Sequence, residues 1–185
     1  MANVTAYSLA GGVASGLVGA ILGALGGVLS LNRIGAAGFL VAAVVGMLAI
    51  ARELGWLSVP LPQLARQTRD VWGKILPGPL AAALWGFDLG LLFTTWLTFP
   101  GVWLLAAVTL LVGNLAIGAV LFVLYWLGRA LSVWLAPLLL PGANGAPQLL
   151  EEIGGRRRLF QGIHVMGLAW SIVVLIVWFI RGVAL

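Results

Sequence analysis

Along the chain, polar positions gather into a few short breaks and leave long apolar runs between them. A bilayer-spanning helix needs roughly 20 predominantly apolar residues, so each run is read first as a candidate span. Residues 1–32 carry no charge, and 7–29 makes a first span. A second, 34–51, is closed by Arg52-Glu53, with Ser30-Leu31-Asn32-Arg33 as the tight turn between them. In the polar break 52–77, Pro60 and Pro62 keep the first half extended, since proline lacks an amide donor and restricts its predecessor. The second half puts Leu64, Val71 and Ile75 near one helical face, which predicts an amphipathic interfacial helix over 63–76. The stretch 78–128 contains one charge, Asp88, and is too long for a single span. Pro100-Gly101 divides it into spans 80–99 and 102–125. Residues 130–140 are apolar but too few to cross, and predict an interfacial or re-entrant helix. The last span is 159–180.

The pattern therefore predicts an all-α, polytopic transmembrane helical bundle of about five spans. The interfacial helices lie near 63–76 and 130–140, and the whole of 1–185 forms one integral membrane domain. Composition agrees: 62% of the residues are hydrophobic and 8% charged, against roughly 25% charged in a soluble domain. That excludes a water-soluble enzyme. The first run lacks the basic leader of a secretory signal and is read as a retained helix. Lysine and arginine favour the cytoplasmic side. With the N-terminus inside, Arg52, Arg66, Arg69, Lys74, Arg129, Arg156, Arg157 and Arg158 fall inside, leaving Arg33 and Arg181 outside. The expectation is a prokaryotic inner (cytoplasmic) membrane, N-terminus inside and C-terminus outside. Attraction to anionic lipid accounts for Arg156, Arg157 and Arg158. No basic domain or aromatic platform points to nucleic acid.

Candidate chemistry is sparse. The chain has no cysteine, one histidine and five acidic residues, so no thiol relay, metal set or nucleophile–base pair is legible. An enzyme is not expected, nor a cofactor or metal. Asp88 lies about nine residues into its span, about 13 Å along a helix, where a carboxylate is costly and marks a functional hypothesis by default. With Thr94, Thr95 and Asn114 it forms a candidate polar seam for a solute or ion. In the first span Gly12 and Gly16, and Gly19, Gly23 and Gly27, recur every four residues. Such series let helix backbones approach closely and mark a packing or docking face. His164 is a candidate single ligand for a pigment or haem, or a helix-bridging hydrogen bonder. Trp56, Trp72, Trp126, Trp134 and Trp178 fall near predicted span ends, where aromatic belts belong.

From Arg66 to Gly128 the order is a basic amphipathic segment (ARQTRDVWGK), then PGPLAAALWGFDLGLLFTTW, a proline-glycine break, and a small-residue span. This order resembles the transmembrane domains of cytochrome c biogenesis and thiol-reductant carriers of the DsbD/CcdA type. The resemblance implies a glycine-rich bundle with broken helices. That family works through a membrane-embedded cysteine pair, and no position here supplies either cysteine. The leading expectation is a non-catalytic accessory or assembly subunit of a larger membrane complex, with partner subunits or a homo-oligomer around it. The alternative is a small-solute or ion transporter using Asp88. A pigment- or haem-contacting subunit using His164 stands third.

Overall fold

In the computed structural model, which describes residues 1–58, 71–92, 100–139, 155 and 157–183, the apolar runs fold as helices. They are α1 (Ala2–Val28), α2 (Ala36–Glu53), the single turn α3 (Trp72–Ile75), α4 (Gly78–Gly90), α5 (Gly101–Val112), α6 (Leu115–Leu139) and α7 (Arg157–Val183). A 3-10 turn at Leu31–Ile34 joins α1 to α2. Among the described residues, four helices are long and apolar enough to cross a membrane: α1, α2, α6 over Leu115–Leu135 and α7 over Arg158–Arg181. The observed class is the expected one, an all-α membrane bundle.

The helices are built inside out relative to a soluble protein. The buried residues of α1 are Gly11, Ala14, Ser15, Gly16, Gly19, Gly23 and Gly26, all small. Its exposed residues include Leu9, Val13, Leu17, Ile21 and Leu25, one every fourth position. α2 repeats the arrangement, burying Gly38, Ala42, Ala43, Gly46 and Ala49 while exposing Leu40, Val44 and Leu48. Lipid tails solvate large apolar side chains as well as a protein core does, so close contact between helices falls to small residues.

The contacts fix the directions. Along α1, Gly11 faces Trp126, Gly19 faces Gly118 and Gly23 faces Asn114, so α6 runs antiparallel to α1. Gly78 lies by Asn3, Gly86 by the Tyr7 carbonyl and Gly90 by Gly11, so α4 runs parallel to the first half of α1. The end of α5 reaches the end of α1, where the Leu110 carbonyl meets Gly26. α4 and α5 thus occupy successive levels beside α1 and together make one interrupted crossing. α2 and α7 pair separately and antiparallel, with Gly46 against Ile172 and the Gln161 amide donating to the Glu53 carbonyl. α5 joins the two groups. Val102 and Ala106 pack with Leu92 and Phe122 on one side, and Leu104 packs with Ala42, Ala49 and Leu168 on the other.

Two boundaries differ from the sequence reading. The reversal between the third and fourth crossings falls at Gly113-Asn114, inside the expected span 102–125, and not at Pro100-Gly101. Gly113 takes φ +61°, a left-handed conformation open to glycine at little cost, and the Asn114 side chain accepts the Ile117 N–H at 3.0 Å to start α6. Pro100 instead precedes the first turn of α5, where its missing donor costs nothing. The helix expected separately at 130–140 is the end of α6 up to Leu139. Moving the reversal gives α6 the length to include it. Of the helix expected over 63–76, the turn Trp72–Ile75 is helical, and residues 63–70 lie outside the described residues.

Candidate functional site

Asp88 stands beside the interruption between α4 and α5. Asp88 is buried, 5% exposed, near the end of α4. Four residues later Leu92 is fully buried with φ +60°, a conformation costing a leucine about 1–2 kcal/mol. Non-helical backbone at membrane depth persists only where protein or water covers it. Leu92 meets that condition through Val102, Ala106 and Phe122.

The other seam residues are placed differently. Asn114 lies level with Gly23, while Asp88 lies between the levels of Tyr7 and Gly11. About fourteen residues of α1 separate them, about 20 Å along its axis, and Asn114 is committed to starting α6. Thr94 and Thr95 lie outside the described residues. Thr109, one turn before the end of α5, is fully buried with its methyl toward Gly118.

The glycines of α1 lie against neighbours within the chain. A Cβ at Gly19 or Gly23 would overlap a backbone carbonyl of α6 or of the turn preceding it, and one at Gly27 would stand 2.8 Å from the Gly113 carbonyl. Gly16 faces Val123, and Gly12 has ordinary room beside Trp126, at 3.6 Å. Arg158 is exposed at the start of α7, whose first residue is Arg157; Arg156 lies outside the described residues. His164 abuts the start of α5: a Cβ at Gly101 would stand 2.6 Å from its Cε1. It lines a cleft of about 730 Å³ with Tyr125, Leu104, Gly167 and Trp170.

One polar cluster escaped the sequence reading. Trp126, expected in an interfacial belt, is fully buried. Its indole N–H donates to the Ser8 carbonyl at 2.8 Å, and the Trp134 indole donates to the Ser8 hydroxyl at 3.0 Å. Tyr7 lies tilted against Trp126 with centroids 5.2 Å apart, and Arg129 sits 5.8 Å from the same ring. Higher up, the Ser15 hydroxyl donates to the Phe122 carbonyl at 2.8 Å. Ser8 and Ser15, one heptad apart in a glycine-rich helix, were the available signal.

Fold and site define a small polytopic helical membrane protein with one interrupted crossing. No family model matches the chain, and no solved structure matches it. It is similar to the methylamine utilization protein MauF of Paracoccus versutus, 33% identical over 118 residues, which are 63% of this chain and 43% of that one. MauF of Paracoccus denitrificans is 28% identical over 130 residues, 70% of this chain and 47% of that one. MauF of Methylorubrum extorquens is 28% identical over 117 residues, 63% and 41% of the two chains. The chain spans less than half the length of these relatives. They overturn the resemblance to DsbD/CcdA-type carriers. That resemblance rested on features common to membrane helices: a basic flank, small residues and a proline-glycine pair.

Proposed function

We propose that this protein is a non-catalytic membrane component of methylamine utilisation, acting as an accessory or assembly subunit beside larger partners. The observation that carries this reading is the similarity to the MauF proteins, which extends over 63–70% of the chain. The build of the bundle supports it. Its interior is taken up by small residues and apolar packing, and α7 presents most of its surface outward, with 11% of its apolar window buried. Such a chain is suited to sitting beside other membrane segments, with its N-terminus inside and C-terminus outside a bacterial cytoplasmic membrane.

The test is deletion in the native host followed by growth with methylamine or ammonium as nitrogen source. Loss of growth on methylamine alone, restored by the intact gene, is expected. Mild-detergent purification from methylamine-grown cells should bring down larger partners in fixed ratio. Normal growth on methylamine would sink the reading.

A further inference from the structure

We infer that the cleft between α5, α6 and α7 holds an anionic phospholipid of the leaflet on the side of the α1 N-terminus. Its phosphate sits on Arg129 and one acyl chain lies along the apolar wall. The cleft holds about 730 Å³, within the range of about 300–1,000 Å³ usual for sites that enclose a small organic ligand. It opens toward lipid, where Ile163 and Trp170 are exposed.

The helix directions give the cleft two distinct ends. A Cβ at Gly118 of α6 would meet the Thr109 methyl of α5, and Phe122 packs with Val102 and Ala106, so α6 runs antiparallel to α5. Tyr125, three residues past Phe122, is therefore level with the start of α5. There it lines the cleft with Gly101 and Ile163. Arg129 lies one turn beyond Tyr125 and comes within hydrogen-bonding reach of its hydroxyl oxygen. The charge thus stands at the end nearer the α1 N-terminus. His164 also lines this end and is already engaged, so no donor is asked of it. From Gly101 the wall continues through Leu104 to Val108 and Leu175. Gly101 to Val108 is about 10 Å of helix, directed away from the charge as an acyl chain is directed away from its phosphate.

Arg129 is held in place by groups that do not neutralise it. Its guanidinium lies 5.8 Å from the centre of the Trp126 ring, close enough for a cation–π contact. That ring is itself tied to α1, its N–H donating to the Ser8 carbonyl at 2.8 Å. An indole face and a phenol oxygen carry no net charge, and they occupy only part of a guanidinium's five N–H donors. The planar fork that remains matches phosphate oxygens in pairs. Depth agrees with this use. Trp126 lies opposite Gly11 and α6 runs antiparallel to α1, so Arg129 is level with about Ser8, roughly 9 Å from the start of α1. The 27 residues of α1 give about 40 Å, close to the thickness of a bilayer with its interfacial regions. The guanidinium therefore lies near the boundary where headgroups give way to hydrocarbon. Basic pockets between membrane helices bind anionic lipid heads.

For the test, the protein is purified in dodecyl maltoside and offered mixed micelles with equal amounts of phosphatidylglycerol and phosphatidylcholine. Bound lipid is counted by native mass spectrometry. Saturable binding of phosphatidylglycerol is expected, preferred over phosphatidylcholine about tenfold, the scale of one hydrogen bond to a charged group. Glycerol phosphate, a head without a chain, should not displace it. Arg129→Gln should remove the preference, while Arg158→Gln, at the exposed start of α7, should leave it. Gly167 lines the cleft, and a Cβ there would meet nothing within 4 Å. Gly167→Leu therefore has room for its side chain, which takes the place of the acyl chain and should lower uptake of both lipids severalfold with the circular dichroism spectrum unchanged. The comparison of the two lipids on the intact chain stands whether or not a variant assembles. Equal binding of the two lipids would overturn the proposal. So would equal losses in Arg129→Gln and Arg158→Gln, the mark of a general attraction to a basic face, displacement by glycerol phosphate, or unchanged uptake in Gly167→Leu. An intact chain that takes up neither lipid would also overturn it, and would leave Arg129 to an acidic group of a partner subunit.

Discussion

At the scale of single residues, what matters in α1 is which glycine faces backbone and which faces a side chain. Gly19 meets the Gly118 carbonyl, which cannot move without moving α6, whereas Gly12 lies at ordinary contact distance from an indole edge. Overpacking a close contact costs typically about 1–3 kcal/mol, sometimes more. Gly19→Leu should therefore lower the detergent melting temperature sharply, or prevent assembly. Gly12→Ala should leave it unchanged or raise it by a few degrees, since its methyl meets only an ordinary contact and alanine has the better helix propensity. Equal effects from the two would mean that α1 and α6 are not in close contact.

Among the elements, the reversal at Gly113-Asn114 decides how the second half of the chain is divided. Gly113 combines φ +61° with a virtual Cβ 3.1 Å from the Gly27 amide nitrogen, so Gly113→Ala adds both strain and crowding. A loss of about 1–3 kcal/mol of stability is expected, read as a lowered midpoint in a denaturant titration of the purified protein. An unaffected midpoint would place the turn elsewhere. The long apolar runs of α1, α2 and α7 were legible in the sequence because periodicity and charge breaks agree there. The boundary between the third and fourth crossings was not. A proline-glycine pair and a glycine-asparagine pair both punctuate the run, and only tertiary contacts choose between them. Proline at 100 is as compatible with a helix start as with a turn. Asp88 was legible as a buried acid from its isolation in an apolar run. The burial of Trp126 was not, because tryptophan serves equally at an interface and in a core, and nothing local says that Gly11 will lie opposite.

For the molecule as a whole, the described helices reverse direction from one leg to the next. α1, α2, the pair α4 and α5, α6 and α7 alternate, so Arg33 and Arg181 share one side while Arg52, Lys74 and Arg158 share the other. A chain without cysteine permits a direct test with single introduced thiols and a membrane-impermeant maleimide. Arg33→Cys and Arg181→Cys should label from the same side, and Arg52→Cys from the opposite one. Labelling of Arg33→Cys and Arg181→Cys from opposite sides would break this topology.

The interrupted crossing also bears on how the protein is made. α4 and α5 have 13 and 12 residues, about 20 and 18 Å of helix, and neither alone traverses a hydrocarbon core of about 30 Å. Each is a weak insertion signal by itself. Both halves come to rest on α1, at Tyr7, Gly11 and Gly26, and α1 is synthesised before them, so the order of synthesis delivers the template before the pieces that need it.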